Sequence, residues 1–148
     1  MTSEALQARL NRAPYVGFLG VRVSVLGDEM TAVLPYRPTL IGNPLAEALH
    51  GGAVGAFMEI TAQAQLFVRS QSDSFPKTID VSVNYLRRGK AQDTFARARV
   101  GRHGSRVANV RVEAWQDRRD EPIAVLFGHF LIREAAAEPD PDGAPPQT

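Results

Sequence analysis

The sequence predicts a single α+β domain in which an antiparallel sheet of five or six strands wraps one long helix. Three observations carry this. Residues Gly52 to Arg69 are almost entirely apolar, and Glu59 is the only charged side chain between His50 and Arg69. A helix apolar around its whole circumference is a buried one. Two short strand-like runs precede it and four longer runs of alternating or β-branched residues follow it, so strands and helix are segregated along the chain. The 148 residues suit one domain, and 44% hydrophobic content can supply its core.

The elements follow in order. Ser3 to Asn11 reads as a short helix, with Ser3 as N-cap and Pro14 ending the segment. Gly20 to Leu26 and Glu29 to Pro35 read as strands joined by a tight turn at Gly27-Asp28. Pro38 to Ala48 is rich in Pro and Gly and reads as an irregular loop, and Ser70 to Pro76 breaks the chain after the long helix. Thr78 to Leu86, Asp93 to Gly101, Arg106 to Gln116 and Ile123 to Arg133 are the later strands, with Pro122 suited to the start of an edge strand. Residues 1–14 thus form an N-terminal helical segment and 15–134 the main domain; 135–148 is too poor in apolar residues to pack and is expected to be a disordered tail.

Charge and composition narrow the function. A net charge of +1 does not favour nucleic acid. The cations are nevertheless concentrated, with Arg87, Arg88, Lys90, Arg97, Arg99, Arg102 and Arg106 in one third of the chain. The absence of cysteine excludes disulfides, thiol nucleophiles and Cys-based zinc sites. His50, His103 and His129 are far apart and lack metal-ligand spacing, so no metal or cofactor is expected. No apolar run reaches the ~20 residues that span a bilayer, and the N-terminus lacks a signal-peptide pattern. A cytoplasmic protein without a membrane or nucleic-acid partner is the expectation.

The strongest local signal is LHGGAVGAFMEITA, Leu49 to Ala62. Two glycines at the mouth of a buried helix let a ligand approach the backbone closely. The first helical N–H groups have no intrahelical partner and sit at the positive end of the helix dipole, where they can polarise a carbonyl oxygen. Glu59 lies about two and a half turns beyond His50, where burial is expected to raise its pKa towards general-base range. A Gly-Gly pair can equally be a plain turn, and a helical Glu is most often a solvated one.

The stretch LIGNPLAEALHGGAVGAFMEITA (Leu40 to Ala62) resembles the phenylacetate-pathway (PaaI-like) branch of the hot-dog thioesterase superfamily, which carries HGG followed nine residues later by Asp or Glu. His50-Gly51-Gly52 and Glu59 match that spacing. TIDVSVNYLRRG (Thr78 to Gly89) matches as the strand after the helix, and the likeness spans roughly Tyr15 to Arg133.

The resemblance implies a hot-dog fold and acyl-CoA thioester hydrolysis. The Gly51 N–H, with Gly52, would polarise the thioester carbonyl, and Glu59 would act as base on water or as nucleophile. Asn43 would orient the water or the carboxylate, His50 would order the loop, and Thr78 would occupy a water-binding position. Gln63, on the Glu59 face, could hold the carboxylate or make a dimer contact. A homodimer or homotetramer is implied, with Glu59 of one subunit facing Gly51 of another. The phosphates of CoA would want cations, for which Arg87, Arg88, Arg102, His103 and Arg106 are the candidates. Phe57, Met58, Phe67 and Tyr85 could shape a pocket for an aryl or medium-chain acyl group, or simply pack the core. His129 reads as a structural histidine. Two other readings stay open: a hot-dog hydratase or dehydratase with His50 as base, and a non-catalytic acyl-CoA-binding module.

Overall fold

In the computed structural model the chain is described over residues 1–70 and 72–132, and the side chains of Arg102 and His103 fall outside that description. The expected tail, 135–148, also lies outside the described residues. Helix α1 (Ser3–Leu10) is followed by α2 (Pro14–Leu19) and by a hairpin of β1 (Arg22–Leu26) and β2 (Glu29–Leu34). A short pair, β3 (Ile41–Asn43) and β4 (Ala48–Leu49), leads into the 20-residue helix α3 (Gly51–Ser70). Then come β5 (Lys77–Tyr85), β6 (Thr94–His103), β7 (Val107–Trp115) and β8 (Ala124–Leu131). The main sheet is antiparallel with order β1-β2-β6-β7-β8-β5.

The predicted sheet of five or six strands around one helix is therefore present, with six strands and with differences that have local causes. Thr2, not Ser3, caps α1 by accepting the Ala5 N–H at 3.1 Å, while the Ser3 hydroxyl accepts the Val25 N–H at 2.8 Å. Pro14 starts a second helix instead of only ending the first; its fixed φ and missing N–H suit the first helical turn. That helix closes on Gly20 at φ 76°. The β1–β2 hairpin has the expected two-residue turn, with Gly27 at φ 64°. The segment read as an irregular loop contains the β3–β4 pair, too short to register as strands in sequence. Strand β8 is interior, between β7 and β5, so Pro122 does not mark an edge. It lies ahead of the strand, where no ladder donor is needed.

The true edges are β1 and β5. Alternation puts Ala108, Val110, Val112 and Ala114 of β7 towards the helix, with Leu126 and Phe130 of β8, all buried against α3. Helix α3 is not enclosed on every side, as its composition suggested. Gly51, Gly55, Glu59 and Gln63, spaced four apart, form a stripe that stays only partly buried. This stripe runs along β5, and small residues there leave the flank open. Strand β5 is itself exposed along most of its length, with Ile79, Val81 and Tyr85 at 54%, 39% and 55% exposure.

Candidate active site

The stripe meets β5 in an antiparallel ladder. Tyr85 lies over Gly51 and Gly55, Thr78 meets Glu59, and Gln63 reaches Pro76 just before the strand. The site residues are thereby sorted along about 12 Å of helix, the rise over the eight residues from Gly51 to Glu59.

At the Gly51 end the backbone dominates. The β3–β4 pair delivers His50, whose N–H donates to Leu40 O at 2.8 Å. His50 O then accepts from Ala53 N–H at 3.0 Å and Val54 N–H at 3.2 Å. The Gly52 N–H donates to His50 Nδ1 at 2.9 Å. Of the helix's opening donors, only the Gly51 N–H lacks a partner among the described residues. The expectation that Gly52 shares the carbonyl-polarising role thus meets a competing bond, because its N–H is already used. Accepting at Nδ1 puts the lone pair there, so neutral His50 carries its proton on Nε2. A histidine in that state is a donor at its outer nitrogen and has no lone pair there to act as base.

At the other end Thr78 Oγ1 donates to Glu59 Oε1 at 2.5 Å. Glu59 is partly exposed, so the full burial assumed in the sequence argument is absent from the single chain. Gln63 Nε2 donates to Pro76 O at 3.0 Å; it fastens the helix to the chain entering β5 and leaves the carboxylate to Thr78. Asn43 lies at the Gly51 end, where its Oδ1 accepts from Leu45 N–H at 3.1 Å and Ala46 N–H at 3.3 Å and shapes the β3–β4 loop.

The candidate phosphate cations fall into two groups. Arg87 and Arg88 follow the Tyr85 end of β5 and line a cavity of about 250 Å³ with Lys90, Arg118, Asp117 and Glu121. Their guanidinium groups also donate to Pro122 O at 2.9 Å and Ala46 O at 2.8 Å. Arg106 lies at the opposite end, since Val107 and Lys77 both pair with Leu131. Nine residues of β5 separate the groups, roughly 26 Å at 3.3 Å per residue. One CoA on one subunit cannot use both. Arg102 and His103 were assigned with Arg106, and their side chains lie outside the described residues.

The proposed acyl-pocket residues separate as well. Phe57, Met58 and Phe67 are 0%, 0% and 1% exposed and belong to the hydrophobic core. Tyr85 alone of the four is accessible. His129 Nδ1 sits 2.7 Å from Asp80 Oδ1, an exposed cross-strand pair away from the ladder. Sequence reasoning missed the role of Gly55, whose spacing of four from Gly51 was the available signal, and the Tyr85 contact, for which there was none.

This architecture is that of the hot-dog thioesterases. A protein from Chromobacterium violaceum is 37% identical and superposes with a TM-score of 0.70 over 88% of this chain and 90% of that one. A Shewanella oneidensis protein related to the thioesterase superfamily is 26% identical, with a TM-score of 0.73 over 88% and 94%. A phenylacetic acid degradation-related protein from Ralstonia eutropha shares the fold at 19% identity, with a TM-score of 0.73 over 86% and 98%. No protein of curated function matches the chain. Residues 42–131 match the family described as the acyl-CoA thioesterase N-terminal domain. The chain belongs to this acyl-CoA thioesterase family, and its class is that of thioester hydrolases. Among the described residues no helix is long and apolar enough to cross a membrane.

Proposed function

We propose that the chain hydrolyses an acyl-CoA thioester in a site shared by two copies, with Glu59 of one and the Gly51 N–H of the other. The observation that carries this is the axial separation of the two groups. A carbonyl oxygen and the oxygen attacking its carbon must lie within a few ångströms of each other, whereas Gly51 and Glu59 are about 12 Å apart along one helix. Two-fold antiparallel pairing of the exposed β5 edges sets the Tyr85 end of one strand beside the Thr78 end of the other. Each Glu59 then faces a foreign Gly51, and the apolar side chains of β5 are covered.

In this site the thioester oxygen accepts from the Gly51 N–H. Glu59, oriented by Thr78, takes a proton from water as the water oxygen adds to the carbonyl carbon; the carbon–sulfur bond then breaks, the sulfur takes up the proton held by Glu59, and CoA leaves as the thiol. Direct attack by the carboxylate is the variant of the same step, through a mixed anhydride that water opens. The Arg87–Arg88–Lys90 cavity, at the Gly51 end, suits the CoA phosphates. Tyr85 and Val81 offer apolar surface for an aryl or medium-chain acyl group. A dimer, or a tetramer of two dimers, is the assembly this requires.

A hydratase needs a histidine base, and the Nδ1 bond to Gly52 leaves His50 a donor instead. A panel of acyl-CoAs with a thiol reagent tests the reading directly: release by the native chain that is lost in Glu59→Gln is expected. Release that persists in Glu59→Gln would remove the carboxylate from the mechanism. CoA binding without release would leave a binding module.

A further inference from the structure

We infer that Tyr85 is a positioning residue for the carbonyl-polarising donor: together with His50 it clamps the Gly51–Gly52 peptide and leaves the Gly51 N–H to the substrate. The inference rests on the thioesterase reading above.

A Gly-Gly pair at a helix terminus has the widest backbone freedom of any dipeptide, so a donor placed there needs outside restraint to keep one direction. The structure holds the neighbouring Gly51–Gly52 plane from both sides, while the donor's own plane, His50–Gly51, is held through His50 O, which accepts from the Ala53 and Val54 N–H groups. Tyr85 Oη donates to Gly51 O at 2.6 Å, and the Gly52 N–H at the other side of the Gly51–Gly52 plane donates to His50 Nδ1 at 2.9 Å. Donation into the carbonyl polarises the same amide and strengthens its N–H bond to the imidazole. Phenol, peptide and imidazole thus form one continuous hydrogen-bonded chain that fixes the first turn of α3.

The fit depends on two absent side chains. A Cβ at Gly51 would stand 3.2 Å from Tyr85 Cζ, and one at Gly55 would stand 3.3 Å from Tyr85 Oη. Gly51 and Gly55 are one turn apart on one helix face, and together they make the flat on which the ring lies. Tyr85 comes from the end of β5, so the clamp also ties the donor to the strand at the proposed subunit junction. With 55% of the residue exposed, the ring stays beside the approach to the Gly51 N–H and is not buried core.

The test compares native protein, Tyr85→Phe and Gly55→Ala by kcat and KM on an acyl-CoA that the native protein hydrolyses. Nitrogen NMR of His50 and the water-exchange rate of the Gly52 amide are measured alongside. Both variants are expected to lower kcat about three- to tenfold, the scale of one hydrogen bond, with KM little changed because the loss falls in the transition state. Native neutral His50 is expected to carry its proton on Nε2, and Gly52 exchange is expected to speed up in Tyr85→Phe. An unchanged kcat, a loss confined to KM, or unchanged Gly52 exchange would overturn the clamp. If the native protein releases no thiol from any acyl-CoA, the hydrolase reading falls, and the two NMR measurements alone decide the clamp.

Discussion

At the Tyr85 end of β5 the chain presents backbone chemistry: a helix-terminal N–H without a partner among the described residues, two glycines and a histidine whose inner nitrogen is occupied. At the Thr78 end it presents side-chain chemistry, a carboxylate receiving a hydroxyl. Both ends lie on the same open stripe of α3, and neither is sufficient. In the proposed reaction one would stabilise a developing negative charge without a group to deliver water; the other would activate water without a donor to hold the carbonyl. Backbone donors keep their positions when side chains change, which suits the group that must not move. A carboxylate has to gain and lose a proton, which only a side chain does. On the shared-site proposal, the separation of the two gives a use to the β5 edge, where Ile79, Val81 and Tyr85 are exposed in the single chain.

The largest test of this contrast removes the side-chain end. Glu59→Gln is expected to lower kcat about 10²- to 10⁴-fold, the usual worth of a general base, measured by thiol release. Removing the backbone end comes next. Gly51→Pro deletes the N–H at a first helical position that suits proline's φ but also brings a Cβ against the Tyr85 ring, so a loss of at least about 10²- to 10³-fold is expected. Mixing the two inactive variants and allowing subunit exchange should restore about a quarter of native activity, because half the dimers then hold one intact shared site. No recovery on mixing, with exchange shown by mass spectrometry, would place both groups in one subunit's site and break the contrast.

Thr78→Val leaves the carboxylate without its hydroxyl donor and is expected to lower kcat about three- to tenfold, a single hydrogen bond's worth. The smallest effect lies outside the ladder, in the loop that holds the Arg87–Lys90 cavity. Hydrogen bonds from Lys90 and Gln92, with the Lys90 charge, hold the Asp117 carboxyl below its ordinary value of 3.8. A depressed carboxylate stabilises the fold above its unfolded pKa, and that contribution fades as pH falls through the folded value. Carbon NMR of Asp117 should therefore show a midpoint under 3.8 that rises in Lys90→Met. A midpoint indifferent to Lys90 would remove this anchor from the loop.

Much of the fold was legible because its signals are local and repeated. The apolar run after His50, the alternation in β6 to β8 and the Gly27-Asp28 turn each state their own conformation. The β3–β4 pair and α2 were not legible: two or three residues cannot display a period, and Pro14 reads the same ending one helix or beginning another. In the site, His50, the glycines and Glu59 stood out by spacing. Their distribution between two ends, and the capture of Gly52 by His50, did not, because both depend on where β5 lies against α3.

The sequence by itself determined an α+β chain with one apolar helix, a lone carboxylate on it and a glycine pair at its mouth, since periodicity, charge and glycine content act within a few residues. Tertiary structure decided the rest. It chose which donor stays free, which partner Glu59 holds, which phenylalanines are core and which strand is left at the edge. The physical reason is that hydrogen bonds such as Thr78–Glu59 and Tyr85–Gly51 join residues 19 and 34 positions apart. Nothing local encodes such pairs; they exist only once the sheet has closed over the helix and left one flank open.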